Sequence, residues 1–133
     1  MRNYIKTLLV ILFICLVTGC AGESSDEMKD NTYEHITQEE AKNLMSSETD
    51  YRILDVRTDE EYAGGYIPGA ICIPNETINE TVTEILPDKN QLILVYCRSG
   101  RRSAEAARKL AALGYTNIKE FGGINTWPYE TEQ

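Results

Sequence analysis

Residues 97–103 are the part of this sequence best suited to chemistry. Cys97 stands directly after an apolar run and is followed by Arg98, Arg101 and Arg102, with Ser99 and Gly100 between them. Cations and unpaired backbone N–H groups hold a thiol as a thiolate, and its pKa then falls from about 8.5 to about 3.5–7.5. The stretch therefore predicts a nucleophilic sulfur in a loop that binds anions.

Two regular elements must hold this loop between them. The run Leu92–Tyr96 is bulky and β-branched without polar alternation, which is typical of a strand buried on both faces of a parallel sheet. From Ser103 onwards, alanines and leucines recur at helical spacing, and Gly114 occupies the position of a left-handed C-terminal cap. A strand, a tight loop and a helix are therefore expected around Cys97.

The rest of the domain alternates short strands with helical segments. Thr37–Glu40 and Thr58–Glu61 both fit capping boxes that begin helices. Apolar residues three to four positions apart predict an amphipathic helix from Asn75 to Leu86, on Ile78, Val82 and Ile85. The other strands are predicted at 33–36, 51–56, 70–73 and 117–121. This order indicates an α/β fold, with about five mainly parallel strands and helices on both faces.

Other candidate residues lie near the ends of the predicted strands. Asp55 and Arg57 end the second strand, and the carboxyl ends of parallel strands share one edge, so they should support the Cys97 loop as an ion pair. Cys72 stands at a normally apolar position of the third predicted strand, so it is expected to be a small buried residue. A resolving role would require the Cα atoms of Cys72 and Cys97 to lie about 4.4–6.8 Å apart. The only histidine, His35, is assigned no role, and no Cys or His pair has metal-ligand spacing.

Length and charge limit the possible partners. The chain has 133 residues and a mass of 15.0 kDa, enough for one domain with one core. Its formal net charge is −8, and no basic face is apparent outside the Cys97 loop. These properties argue against nucleic acid as a partner.

The first residues have the pattern of an export signal. Arg2 and Lys6 flank the apolar run Thr7–Val17, which is too short to span a bilayer and has the length of a signal-peptide core. The run ends in Val17-Thr18-Gly19-Cys20, which resembles the lipobox of bacterial lipoproteins. The resemblance implies that residues 1–19 are a signal peptide and that residues 20–32 are a tether beginning with lipidated Cys20. The domain at 33–133 would then be held outside the cytoplasmic membrane by acyl chains.

Four ordered blocks of the domain resemble the rhodanese family: Leu54–Arg57 with Glu60–Tyr62, then Gly65–Ala70, Tyr96–Ser103 and Gly122–Trp127. The resemblance implies a sulfurtransferase that needs no cofactor. Cys97 would take a sulfur from a donor such as thiosulfate, hold it as a persulfide and pass it to a thiol or cyanide. The loop from Arg98 to Ser103 would bind the donor, with Arg101 favoured for contact with substrate and Arg102 for locking the loop.

Two other functions remain open from the residues. Cysteine phosphatases and related arsenate reductases call for a cysteine, five residues and then an arginine, whereas Ser103 stands six places after Cys97 and the arginine comes one place earlier. A shorter loop suits one sulfur atom better than a tetrahedral oxyanion. The domain could instead be a membrane-tethered carrier that takes persulfide sulfur from, or gives it to, a protein partner.

Overall fold

The computed structural model describes residues 33–133, and a single parallel sheet runs through this part of the chain. The elements, in chain order, are β1 (Glu34–His35), α1 (Gln38–Ser47), β2 (Tyr51–Asp55), α2 (Asp59–Ala63), β3 (Ala70–Cys72), α3 (Val82–Ile85), β4 (Leu92–Cys97), α4 (Arg101–Ala112) and β5 (Ile118–Gly123). Short 3-10 turns occupy Asn75–Thr77 and Ile124–Thr126. The predicted α/β class is confirmed.

The five strands lie in the order β1-β5-β4-β2-β3, and every pair is parallel. All six residues of β4, the central strand, are buried, because helices cover both faces of the sheet. Ile93, Val95 and Cys97 face α3 and α4 on one side. The alternate residues of β4 pack on the other side with α1 and the residues around α2.

The capping boxes are both present. The Thr37 side chain accepts from the backbone of Glu40, and the Thr58 side chain accepts from the backbone of Glu61. In each case the glutamate side chain accepts in return from the threonine N–H. Helix α4 ends as expected before Gly114, whose φ of 94° lies in the left-handed region.

The single helix predicted from Asn75 to Leu86 is wrong. Only Val82–Ile85 is α-helical, because the Asn79 side chain accepts from the backbone and the hydroxyl of Thr81 at 2.9 and 2.6 Å. This local turn competes with helical bonding. Ile78 and Val82 are buried as the spacing indicated, but Ile85 is 55% exposed.

Candidate functional site

The Cys97 loop begins where β4 ends at the carboxyl edge of the sheet. The backbone N–H of Gly100 donates to the Cys97 Sγ at 3.0 Å, and the Ser103 Oγ lies 3.4 Å from the same sulfur. Gly100 has a φ of 110°, which favours glycine and lets the chain reverse into α4. The sulfur is therefore enclosed by its own loop, and Cys97 is only 1% exposed.

Two opposing effects set the pKa of the Cys97 thiol. Burial raises the pKa, and hydrogen bonds from the Ser103 side chain and from the backbone of Ser103, Gly100 and Ser99 lower it. The hydrogen bonds outweigh burial, so the pKa of Cys97 is lower than its ordinary value. A thiol of this kind is ionised more readily than a buried structural cysteine.

The last residue of β5 and the segment after it pack against the backbone of the loop. The backbone of Gly123 lies so close to the loop that a Cβ built on it would be 2.0 Å from the Arg98 carbonyl oxygen. The N–H of Asn125 donates to that same oxygen at 3.2 Å. Position 123 therefore needs glycine because its backbone lies so close to the backbone of Arg98. The hydrogen bond from Asn125 fixes the Arg98 carbonyl group.

The three arginines of the loop have different surroundings. Arg102 donates two hydrogen bonds to the Glu61 carboxylate at 2.7 and 2.9 Å, which ties α4 to α2. The hydrogen bond from Arg102 is the main reason that the pKa of Glu61 falls to about 2. Arg101 pairs with Glu105 on the surface of α4, and its side chain is 74% exposed. Arg98 is exposed and has no ion-pair partner within residues 33–133.

Asp55 and Arg57 form a buried ion pair at the same edge of the sheet. Arg57 Nη2 lies 2.6 Å from the Asp55 carboxylate and also donates to the Gly65 carbonyl at 2.6 Å. The Tyr96 hydroxyl donates to Asp55 at 2.6 Å. Burial lowers the pKa of Arg57, but the hydrogen bond to Asp55 and the charge of Asp55 together outweigh this effect. The pKa of Arg57 is therefore above its ordinary value, and the guanidinium stays charged. The pair therefore joins β2, β4 and the turn before β3.

A cavity of about 560 Å³ opens beside the Cys97 loop. Its wall includes charged side chains of both signs and backbone from two turns, among them Arg57, Glu60, Glu61, Gly65, Arg98 and Asn125. The Arg57 guanidinium in this wall is already paired with Asp55, and the Glu61 carboxylate is already paired with Arg102. Arg98 is the loop arginine that lines this cavity, and the preference for Arg101 as the contact with substrate stays a prediction.

Cys72 is too far from Cys97 to resolve a bond to it. Both strands flank β2, where Asp55 pairs with Cys72 on one side and with Tyr96, the neighbour of Cys97, on the other. Two strand spacings separate the cysteines by about 10 Å, beyond the reach of a disulfide at about 6.8 Å. Burial, followed by a hydrogen bond to Asp59, raises the pKa of Cys72 to about 12. Cys72 is half-buried rather than fully buried as expected.

The sequence pattern did not identify Glu120, a buried residue that reaches the loop. The Glu120 carboxylate accepts from the Ser103 hydroxyl at 2.6 Å and lies 2.5 Å from His35 Nδ1 through its other oxygen. The only available signal was an acidic residue inside a predicted strand, at position 120 of 117–121. Glu120 is 3% exposed. Its contacts depend on where the fold buries it, which the sequence pattern does not indicate.

Two features are absent from the described part of the chain. Within residues 33–133, no three His, Cys, Asp or Glu side chains lie close enough together to hold a metal ion. Across the same residues, no helix is long and apolar enough to cross a membrane. Cys20 and the predicted signal peptide lie outside these residues.

A parallel α/β sheet whose central strand ends in an activated thiol, enclosed by a short loop, defines a class of cysteine-dependent transfer proteins. Residues 37–129 match the family model described as "Rhodanese-like domain". The chain belongs to the rhodanese-like family.

Relatives within the family agree with this assignment. The chain is 39% identical over 71 residues to "Thiosulfate sulfurtransferase PspE" of Escherichia coli (strain K12), covering 53% of this chain and 68% of PspE. It is 36% identical over 112 residues to "Putative sulfur carrier protein YrkF" of Bacillus subtilis (strain 168), covering 84% of this chain and 59% of YrkF. A rhodanese-like domain protein of Staphylococcus aureus has a similar crystal structure, with a TM-score of 0.61, 37% identity and coverage of 73% and 93%. The relatives support sulfurtransferase activity at the level of the family.

Proposed function

We propose that this protein is a rhodanese-type sulfurtransferase that moves a sulfane sulfur from a donor such as thiosulfate to a thiol or cyanide. The observation that carries the proposal is the enclosure of the Cys97 Sγ, with the Gly100 N–H at 3.0 Å and a lowered pKa. The same N–H groups suit a persulfide, because they are fixed dipoles directed at a negative sulfur.

The proposed reaction has two halves. The Cys97 thiolate attacks the outer sulfur of thiosulfate, a sulfur–sulfur bond forms to Sγ, and sulfite leaves with the electron pair of the broken bond. Arg98 attracts the dianion from the cavity wall, while Arg102 stays engaged with Glu61. Cyanide or a thiolate then attacks the terminal sulfur, which releases thiocyanate or a persulfide and restores the Cys97 thiolate.

The test is sulfur loading followed by turnover. The full chain in detergent is incubated with thiosulfate, and its intact mass is compared with those of Cys97→Ser and Cys72→Ser. A gain of about 32 Da that cyanide removes, that Cys72→Ser keeps and that Cys97→Ser lacks would support a Cys97 persulfide. No gain from thiosulfate or from other sulfane donors would refute the proposal. Hydrolysis of a phosphate ester, or reduction of arsenate, that depends on Cys97 would instead favour the phosphatase-like alternative.

A sulfur carrier is the second candidate, and the similarity to YrkF favours it. A carrier is loaded once and discharges to a protein partner, whereas an enzyme forms many thiocyanate molecules per chain. Thiocyanate release with thiosulfate and cyanide in excess separates the two. If thiocyanate release stopped near one equivalent per chain, the protein would be a sulfur carrier and not an enzyme.

We also propose that Cys20 is lipidated and anchors the domain outside the cytoplasmic membrane. The support is the short apolar run that ends in Gly19-Cys20. Cells expressing the full chain should incorporate labelled palmitate into it, and Cys20→Ser should abolish the label. Equal labelling of the variant would contradict lipidation at Cys20.

A further inference from the structure

Residues 128–133, here called the strap, form one side of the cavity beside the Cys97 loop. Two strap residues, Thr131 and Gln133, line this cavity, and Arg98 of the loop lines it as well. All residues of the strap are exposed, so the strap is a surface element and not part of the core. Without the strap, the cavity would be open on this side.

The strap is held at both ends. Trp127, the residue before it, is 9% exposed and packs its ring against that of Phe121, with the ring centroids 5.5 Å apart. Its Nε1 group also donates to the Glu130 carbonyl at 3.1 Å. At the other end, Glu132 and Tyr66 form an antiparallel bridge, in which the N–H of each residue donates to the carbonyl of the other at 2.8 Å. The strap therefore runs from the segment after β5 to the turn before β3.

The turn that receives the strap is held firmly by the rest of the domain. Tyr66 stacks on Tyr62 with the ring centroids 4.3 Å apart, and Arg57 donates to the Gly65 carbonyl at 2.6 Å. Arg57 is itself fixed by its buried pair with Asp55. The strap, in contrast, joins this turn through two backbone hydrogen bonds at 2.8 Å and one longer side-chain bond at 3.4 Å. An exposed segment with so few contacts can open locally while the domain stays folded.

The reactive sulfur is almost completely covered. Cys97 is 1% exposed, and one side of it packs in the core with residues of α3 and α4. The Gly100 N–H and the Ser103 hydroxyl lie against the sulfur at 3.0 and 3.4 Å. Arg98 directly follows Cys97 and lines the cavity, so the cavity adjoins the reactive residue.

We propose that the strap limits by size what reaches Cys97 through the cavity. With the bridge closed, the cavity of about 560 Å³ has room for thiosulfate and for thiols of low molecular weight. A sulfur atom carried on another protein reaches Cys97 only when the strap leaves the turn, because a protein surface does not fit into a cavity of this volume. The inference rests on the proposed role of Cys97 and makes the strap a specificity-determining segment for that reaction.

The test compares a small and a bulky alkylating reagent at Cys97 in the full chain. Iodoacetamide and fluorescein maleimide are applied separately, and mass spectrometry follows the tryptic peptide Asn90–Arg98. Glu132→Pro removes the N–H that donates to the Tyr66 carbonyl, whereas Glu132→Ala removes the same side chain and keeps this N–H. We expect the maleimide to react at least about fivefold faster with Glu132→Pro than with Glu132→Ala, since the closed strap loses one hydrogen bond. The iodoacetamide rates of the two variants should be equal.

Two outcomes of this comparison would overturn the proposal. Equal maleimide rates in Glu132→Pro and Glu132→Ala would mean that the strap does not control access to the sulfur. An equal acceleration of both reagents in Glu132→Pro would mean that the reactivity of Cys97 had changed, and not the size of the reagent that can reach it.

A second variant changes the cavity in the opposite direction and keeps the proposal testable if Glu132→Pro does not fold. Thr131 is exposed and lines the cavity, so Thr131→Trp should narrow the cavity without disturbing the core. We expect the maleimide to be slowed relative to the wild type, and iodoacetamide to be slowed less. An unchanged maleimide rate would overturn the proposal. Neither experiment needs sulfur transfer: if no donor loads Cys97, the proposed function fails, and the alkylation rates still decide whether the strap selects by size.

Discussion

The substitution Gly123→Ala should inactivate the protein while leaving most of its fold intact. The added Cβ would lie 2.0 Å from the Arg98 oxygen, 2.3 Å from the Arg98 carbonyl carbon and 2.5 Å from the Ser99 nitrogen. Real Cβ contacts stay beyond 3.0 Å, so the loop would have to move by about 1 Å. The N–H groups around Cys97 would move with it. A displacement of this size can lower a catalysed rate by about 100-fold, and overpacking costs about 1–3 kcal/mol.

The matched control is Gly114→Ala, which adds the same methyl group at the far end of α4. Gly114 has a φ of 94°, and its Cβ would meet only the flexible Lys89 side chain, so strain without loop distortion is expected. Thiocyanate formation and urea unfolding are measured for both variants. We expect both to lose stability and only Gly123→Ala to lose the rate. Full activity in Gly123→Ala would refute the argument that this glycine positions the loop.

Three further predictions concern the supports of the loop. Since the pKa of Glu61 is about 2 in the fold and 4.5 ordinarily, its stabilising effect is complete above pH 4.5 and is lost as the pH falls toward 2. Glu61→Gln should therefore be less stable than the wild type by about 1–2 kcal/mol at neutral pH, allowing for partial exposure, and urea unfolding should show this gap closing below pH 4.5. Asp55→Asn should cost about 3–5 kcal/mol by leaving Arg57 buried and unpaired, and a loss no larger than that of an exposed substitution would contradict the buried pair. Cys72→Ala should load sulfur from thiosulfate like the wild type, and mass spectrometry would expose any dependence on this thiol.

Local sequence patterns were sufficient to predict elements whose formation depends on residues close together in the chain. The threonine and glutamate of each capping box began α1 and α2, because both partners lie within one helical turn. The apolar run 92–96 gave the buried central strand, since only a sheet covered on both faces tolerates it. Cys97 at the end of that strand followed from the same argument.

Competing local hydrogen bonds and contacts between distant segments could not be predicted in this way. The hydrophobic spacing at 78–85 gave the right buried residues Ile78 and Val82, but the Asn79 turn broke the helix. The sequence did not indicate that Arg98 is the loop arginine that lines the cavity, next to Ile124 and Asn125 of the segment after β5. The position of Glu120 depended on the register between β4 and β5, which pairs Glu120 with Val95, two residues before Cys97.

The position of the two cysteines determines how a persulfide on Cys97 would be discharged. Within residues 33–133 the other thiol is Cys72, which lies across β2 and has a pKa of about 12, so it is neither within reach nor ionised at neutral pH. Transfer of the sulfur through a disulfide between Cys72 and Cys97 is therefore excluded. Among residues 33–133 no second thiol can take the sulfur from Cys97, so the second half of the proposed reaction uses an acceptor from outside the domain. The rate of discharge should consequently rise in proportion to acceptor concentration until the acceptor saturates its binding site.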